Sequence, residues 1–111
     1  MNTIFTRIIR KELPAEIVFE NEHLIVIKDI HPAAPVHLLL IPKKEIPDLQ
    51  SLEPEDYPLI PHIIQTAQQL AEQFGITEGY RLLTNNGAGA GQTIFHLHFH
   101  LIGGRQLGAL A

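Results

Sequence analysis

The sequence predicts an α+β fold, in which a five-stranded, mostly antiparallel sheet carries one long and one short helix. Five short segments are rich in apolar and β-branched residues, as strands are. The connections between most of them are short, which favours antiparallel pairing, and one long segment repeats its apolar residues with helical spacing. At 111 residues the chain has the length of one domain, which we expect to span residues 1–111.

The composition excludes several classes of protein. With 45% hydrophobic and 18% charged residues and a net charge of −4, the chain resembles an ordinary globular protein, and its scattered basic residues form no patch for nucleic acid. The absence of cysteine excludes disulfides, thiolate metal sites and cysteine nucleophiles. The first residues lack the layout of a signal peptide, and no apolar run reaches membrane-spanning length. We therefore expect a cytoplasmic protein with no membrane or nucleic-acid partner.

The first half is predicted to contain a short helix and three strands. The helix covers residues 3–10, with Thr3 as its N-cap, and Pro14 ends it. The strands are predicted at residues 17–20, 23–28 and 36–41. The third is apolar on both faces apart from His37, so we expect it in the middle of the sheet.

The second half is predicted to contain the long helix and two more strands. Apolar residues from Ile60 to Phe74 follow the i, i+3, i+4, i+7 pattern, and Gly75 is a typical stop. Because prolines at 58 and 61 disfavour an earlier start, the regular helix should begin near Leu59. The remaining predictions are a strand at 80–84, a glycine-rich loop at 85–92 and a strand at 94–102.

The last predicted strand has the most informative pattern, because His96, His98 and His100 alternate with apolar residues. Successive side chains of a strand point to opposite faces, so the three imidazoles should share one face, about 6.5–7 Å apart. A solvated face would more usually carry threonine, lysine or glutamate. This pattern therefore indicates a site for a small anionic group.

Clustered histidines are suited to phosphoryl chemistry. Neutral imidazole is a nucleophile that titrates near neutral pH, and neighbouring imidazoles can donate hydrogen bonds to phosphate oxygens. His37 joins this group if its strand neighbours the last one. The glycine-rich loop offers backbone N–H groups and places Gln92 and Thr93 beside the histidines. Asp29, at a strand end, can accept hydrogen bonds from sugar hydroxyls.

Two other classes of function remain open on the residues alone. The His-x-His-x-His spacing, together with His37, supplies enough imidazoles for a zinc-dependent hydrolase. Against zinc, no acidic residue lies near the triad in the sequence to act as a ligand's partner or as a general base. A nucleotide-binding or regulatory module with little catalysis is the other alternative, and it predicts AMP affinity without release of amine from a phosphoramidate.

Residues 96–102 (HLHFHLI) resemble the His-φ-His-φ-His-φ-φ signature of the histidine-triad (HIT) proteins. The resemblance is closest to the Hint branch of purine-nucleotide phosphoramidases, also described as protein kinase C inhibitor-like proteins, and it covers nearly the whole chain. The other similar segments are residues 8–15, 29–32, 34–37, 41–44, 79–81 and 103–106.

This resemblance implies a fold, an activity and an assembly. The fold would be the HIT fold, doubled in a homodimer to a ten-stranded sheet. The activity would be hydrolysis of adenosine or guanosine 5′-monophosphoramidates, and of related aminoacyl adenylates, without a metal or other cofactor. The middle histidine, His98, would attack the α-phosphorus and form a nucleotidyl-histidine that water hydrolyses. His96 would orient His98 through its main-chain carbonyl, while His100 and His37 would bind phosphate oxygens and assist proton transfer.

The resemblance also implies a nucleotide pocket. Asp29 would hold the ribose hydroxyls, with Ile30 and Ile27 near the ribose and base, and Phe5 and Ile8 would help to form the base pocket. The phosphate and leaving group would be surrounded by Asn85, Gly91, Gln92 and Thr93.

Two positions depart from the Hint pattern. Thr93 stands where Hint proteins often carry serine; it keeps the hydroxyl but is stiffer about χ1. Residues 107–111 (LGALA) lack the Trp-Pro-Pro ending of many Hint relatives. Both differences bear on the preference for the leaving group and substrate.

Overall fold

The structure, a computed structural model, describes residues 2–111 and contains two helices and five strands. Three short 3-10 turns connect these elements at Leu49–Ser51, Pro54–Asp56 and Ala88–Ala90. The helices and strands are, in chain order, α1 (Ile4–Ile9), β1 (Ile17–Glu20), β2 (Leu24–Lys28), β3 (Val36–Pro42), α2 (Leu59–Gln73), β4 (Tyr80–Leu83) and β5 (Phe99–Gly103).

The five strands form one antiparallel sheet in the order β1-β2-β3-β5-β4. The α+β prediction is therefore confirmed, with one long and one short helix. β3 is the middle strand, as its composition predicts, and all of its residues except Val36 are buried. A strand with both faces covered has no solvated side, which explains its nearly continuous apolar sequence.

Each face of the sheet is covered by a different helix. Leu38 and Leu40 of β3 pack with residues of α2, including Ile63 and Leu70. Their neighbours Leu39 and Ile41 point to the other face and pack with Phe5 and Ile8 of α1. The cluster on the α1 side is the smaller of the two, and it forms the floor of the site described below.

The helix boundaries follow local signals. Thr3 caps α1, because its side chain accepts from the Thr6 N–H while the Thr6 hydroxyl accepts from the Thr3 N–H, both at 3.2 Å. α1 ends before Pro14, as predicted: Arg10 is its C-cap, and Lys11 follows with φ 62°. α2 ends as predicted, since Gly75 follows with φ +70°. Across residues 2–111, neither helix is long and apolar enough to cross a membrane, and the cytoplasmic location stays a prediction.

The last strand is shorter than predicted. The three imidazoles nevertheless lie together on the α1 side of the sheet, because the Phe5 ring packs edge-on against His96 and His98, with centroids 6.3 and 4.9 Å apart, and the ring of His98 lies 5.1 Å from that of His100. Regular pairing begins only at Phe99, so His100 alone of the triad lies in β5. The chain before it is held away from the sheet by other hydrogen bonds. The Leu97 N–H donates to the Ile46 carbonyl at 2.6 Å, and the Ile94 carbonyl accepts from the side chain of Gln92 at 3.0 Å. Backbone groups satisfied in this way have no need of a partner strand.

Candidate active site

A pocket of about 400 Å³ opens on the α1 side of the sheet, a size typical of small-molecule sites. Its apolar wall comes from α1 and from the facing strands. Its polar groups come from the end of β2 and from the chain leading into β5. The apolar lining includes Phe5, Ile8, Ile27 and Leu39, and the polar lining includes Asp29, Thr93, His98 and His100.

His98 is held with one ring nitrogen free. Its Nδ1 lies 2.8 Å from the main-chain carbonyl oxygen of His96. A carbonyl only accepts, so Nδ1 carries the proton and Nε2 keeps its lone pair. Burial lowers the pKa of His98, which favours the neutral ring at neutral pH. The edge of Phe5 packs on this ring with centroids 4.9 Å apart. A neutral imidazole fixed in this way has the form that a nucleophile requires.

His37 and His100 are coupled, and their hydrogen bonds define both tautomers. The Ala33 N–H donates to His37 Nδ1 at 3.0 Å, so this nitrogen is unprotonated and the proton of His37 is on Nε2. His37 Nε2 lies 2.9 Å from His100 Nδ1 and donates to it. His100 therefore carries its own proton on Nε2.

The environment of His100 keeps it neutral. Burial is the largest cause, and the nearby His98 and His37 add to it, so that the pKa of His100 falls to about 4. At neutral pH His100 thus offers an N–H donor without a positive charge. Such a donor can stabilise negative charge on a phosphate oxygen without taking up a proton first.

Asp29 contacts both the loop after β2 and the histidine pair. Its Oδ1 accepts from the His31 N–H at 2.8 Å. Its Oδ2 lies 3.4 Å from His37 Nε2. His100 Nδ1 is closer to the same atom, at 2.9 Å. The carboxylate lines the pocket, and the side chain is 21% exposed. It can therefore accept from a sugar hydroxyl, as the resemblance implies.

His96 supports the site from beneath. Its side chain is completely buried, and its Nε2 donates to the Pro42 carbonyl at 2.7 Å. Within residues 2–111 its Nδ1 has no hydrogen-bond partner. Burial lowers the pKa of His96, so the ring is neutral. The side chain anchors this segment to the end of β3, and the carbonyl orients His98, in the manner that the resemblance implies.

The glycine-rich loop is organised by Gln92, whose side chain is buried and directed away from the pocket. Its Oε1 accepts from the Gly87 N–H at 2.8 Å, and its Nε2 donates to the carbonyls of Pro47 at 2.9 Å and Ile94 at 3.0 Å. Both amide atoms are thus used within the protein. Of the four residues expected around the phosphate, Thr93 lines the pocket, whereas Asn85, Gly91 and Gln92 do not.

His37 also differs from expectation. It was expected to bind phosphate oxygens, but it is 8% exposed and is not part of the pocket lining. Both of its ring nitrogens are occupied by Ala33 and His100, so it acts on the pocket through His100.

Ile30 is much more exposed than the other expected site residues. It lies at the pocket rim, with 85% of its surface exposed.

Several lining residues were not predicted from the sequence. Leu39 pairs with His100 across the β3–β5 ladder and lies on the same face as His37, two residues earlier. The two-residue spacing from His37 to Leu39 therefore identifies Leu39 as a lining residue, once β3 and β5 are known to be neighbours. Ile94 and residues 13–15 also line the pocket, and no local pattern marks them.

The hydrogen bonds argue against a zinc site. One ligand atom each from Asp29, His37 and His100 lies within 4.8 Å of the others, close enough to share an ion. However, a metal-binding histidine normally donates its second ring N–H to a partner. His37 instead accepts from Ala33 at Nδ1, which requires a proton on Nε2, the atom that faces the other two groups. The cluster is therefore better described as a hydrogen-bonded group.

The fold and the pocket define an α+β protein that presents a neutral histidine with a free ring nitrogen beside a second histidine and a carboxylate. The model of the HIT domain matches residues 10–107. The chain belongs to the HIT family.

Individual relatives align with this chain over nearly their full length. An uncharacterized HIT-like protein of Synechocystis is 51% identical over 104 residues, covering 94% of this chain and 91% of that protein. The structure of a HIT family hydrolase from Clostridium thermocellum is 48% identical with a TM-score of 0.94, covering 98% and 96% of the two chains. A histidine triad protein from Clostridium difficile is 30% identical, also with a TM-score of 0.94, covering 100% and 97%. The predicted HIT fold and family are confirmed.

Proposed function

We propose that this protein is a Hint-type purine nucleoside 5′-monophosphoramidase. It hydrolyses the P–N bond of adenosine and guanosine phosphoramidates, and it also cleaves related aminoacyl adenylates. The observation that carries this proposal is the bond from His98 Nδ1 to the His96 carbonyl, which leaves Nε2 free at the pocket wall. The similar structures from Clostridium thermocellum and Legionella pneumophila, both described as HIT family hydrolases, support a hydrolase.

The pocket suits a purine nucleotide. The side chains of Phe5, Ile8 and Ile27 offer an apolar surface for the base. Asp29 accepts from the ribose hydroxyls, which places the α-phosphate toward the histidines. No charged side chain is needed around the base, because its faces bind by apolar contact.

In the first step, His98 Nε2 attacks the α-phosphorus, and the substrate's P–N bond breaks as the new N–P bond forms. The departing amine takes a proton from solvent on the open side of the pocket, where Thr93 is exposed. The nucleotidyl-imidazole that forms is cationic. The His96 carbonyl stabilises this charge, because it accepts from Nδ1–H.

In the second step, water attacks the phosphorus and releases a proton to solvent. Nε2 of His98 departs with its electron pair, which restores the neutral ring. His100 donates its Nε2–H to a phosphate oxygen in both steps. Because its pKa is about 4, the ring does this as a neutral imidazole and takes up no second proton near neutral pH. His37 orients His100 through the 2.9 Å bond.

The direct test uses adenosine 5′-phosphoramidate and measures the release of ammonia and AMP. Turnover by the wild-type protein supports the proposal. Binding of AMP without release of amine would instead identify a nucleotide-binding module with little catalysis.

The rate should depend on pH in a way set by His98. Protonation of Nε2 removes the attacking lone pair, so kcat/KM should fall as the pH drops through the pKa of His98 and level off above it. Because burial lowers the pKa of His98 from 6.5, the midpoint of the acidic limb should lie below 6.5. A pH–rate profile for adenosine phosphoramidate measures it, with circular dichroism at each pH to show that the protein stays folded. An acidic limb centred at or above 6.5 would contradict this assignment.

We also propose the homodimer that the resemblance implies, with the β4 edge of the sheet as the contact. At the other edge, Glu20 of β1 forms ion pairs with Lys11 and Lys43, and charges at an edge discourage strand pairing. At β4, by contrast, Tyr80 exposes 36% of its surface, so an aromatic side chain is available for contact with a second chain. Sedimentation equilibrium at micromolar concentration should give a mass twice the 12.4 kDa of the chain. The mass of a single chain would refute the dimer.

A further inference from the structure

The segment that follows β5 lies directly on the loop that precedes β3. Gly104 has φ +98°, and a Cβ atom at this position would lie 3.0 Å from Cβ of Pro35. A side chain here would therefore meet both backbone strain and a steric clash. This close approach brings the next residue, Arg105, to the loop of residues 31–35, in which every residue except Ala34 is exposed.

Arg105 contacts this loop at one residue. Its Nη2 donates to the Ala33 carbonyl at 2.7 Å, and its Nη1 donates to the Gln106 carbonyl at 2.9 Å. The N–H of the same alanine donates to His37 Nδ1 at 3.0 Å. Both polar backbone groups of Ala33 are thus engaged, one by Arg105 and the other by the histidine that orients His100.

We infer that Arg105 is a positioning residue that acts through Ala33 to fix the tautomers of His37 and His100. It fixes the carbonyl of Ala33, and this keeps the Ala33 N–H aimed at His37 Nδ1. The kinetic consequence rests on the proposed function, whereas the effect on the tautomers can be measured without any substrate.

If the bond from Arg105 to the Ala33 carbonyl is lost, the Ala33 N–H is no longer held toward His37 Nδ1. Without the Ala33 N–H at Nδ1, His37 can carry its proton on Nδ1 and present a lone pair at Nε2. Two lone pairs would then face each other across the 2.9 Å gap unless His100 moves its own proton to Nδ1. In that arrangement His100 Nε2 has no proton to donate to a phosphate oxygen.

The test observes the imidazole nitrogens of the full-length protein directly. Two-bond ¹H–¹⁵N spectra separate protonated from unprotonated ring nitrogens. In the wild type, His37 should show an unprotonated Nδ1 and a protonated Nε2, and His100 should show the same pattern. In Arg105→Ala, both nitrogens of His37 should move toward the averaged shifts of a mixed tautomer. Arg105→Lys, which keeps one donor, should lie between the two.

Kinetics with adenosine phosphoramidate provide the second measurement. Arg105→Ala should lower kcat by about 10-fold with little change in KM, less than the roughly 10²-fold loss that a 1 Å misplacement of a catalytic group can cause. The matched control is Arg81→Ala, since Arg81 donates to the Gly108 carbonyl and so also contacts the chain after β5. Arg81 lies in β4, the proposed dimer edge, so sedimentation must first show that the variant has the same mass as the wild type. The control should then keep wild-type tautomers and rate.

The outcomes are separable. Wild-type ring shifts in both Arg105 variants would overturn the inference, whatever their activity. An equal effect of Arg81→Ala would also overturn it, because general loosening of the segment would then be the cause. If the wild type has no phosphoramidase activity, the proposed function fails, and the spectra still decide the role of Arg105. If Arg105→Ala does not fold, Arg105→Lys and Arg105→Gln give the same comparison.

Discussion

His98→Ala should lower kcat for adenosine phosphoramidate by roughly 10⁴-fold or more, as removal of an enzyme's attacking group does. The variant keeps the pocket but loses the atom that forms the bond to phosphorus. Steady-state release of amine measures the effect. Rapid quenching followed by mass spectrometry should detect a nucleotidyl adduct on the wild type and none on the variant.

The control for this substitution is His23→Ala. His23 stacks on His62 with ring centroids 4.9 Å apart and lines a separate cleft beside α2. It contributes nothing to the proposed chemistry, so its loss should leave the rate near that of the wild type. If His98→Ala retained wild-type turnover, the covalent mechanism would be wrong.

His100→Ala should lower kcat by about 10²–10³-fold, the usual loss when one donor to a developing negative charge is removed. KM should change little, because the donor acts mainly on charge that develops during the reaction. His100→Gln retains an N–H donor near the same place and should recover part of the rate. The measurement is kcat and KM for all three proteins on one substrate.

The His100 comparison also identifies how the residue acts. Equal losses in the alanine and glutamine variants would show that donation of a hydrogen bond is not its role. A rise in KM at unchanged kcat would assign it to substrate binding instead. Thermal melting of both variants shows whether a folding defect contributes.

Much of the fold could be predicted because the signals are local. The position of β3 follows from its nearly continuous apolar sequence, and only a central strand needs such a sequence. The start of α1 is similarly visible in Thr3, whose side chain caps the helix. The end of α2 is marked by a glycine that adopts positive φ. Each of these features depends on residues close together in the chain.

The site was only partly predictable, because long-range hydrogen bonds override local periodicity. Alternation from 95 to 101 predicts one continuous strand, yet β5 begins only at Phe99. His96 lies before the strand, and its side chain is hydrogen-bonded to the carbonyl of Pro42, 54 residues away. Gln92 similarly holds the chain through Pro47, 45 residues away. Only the resemblance separated the backbone role of His96 from the side-chain role of His98.

The role of His37 was hidden for the same reason. Its placement beside the triad depends on β3 pairing with β5, which the sequence made conditional. Its tautomer depends on an exposed alanine in a proline-bounded loop, and the position of that alanine depends on Arg105, 72 residues later. No pattern along the chain connects these three residues.

The division of the pocket between α1 and the β3–β5 ladder has a consequence for how specificity can change. Ile8 lines the proposed base end, and Ile4 of the same six-residue helix also lines the pocket. The hydrogen-bond chain from Ala33 to His100 runs through other elements. Phe5 of α1 connects the base end to the attacking group, since its ring packs on His98. The choice of nucleobase can therefore be redesigned at positions 4 and 8 independently of the chemical steps, with Phe5 as the one residue to leave in place.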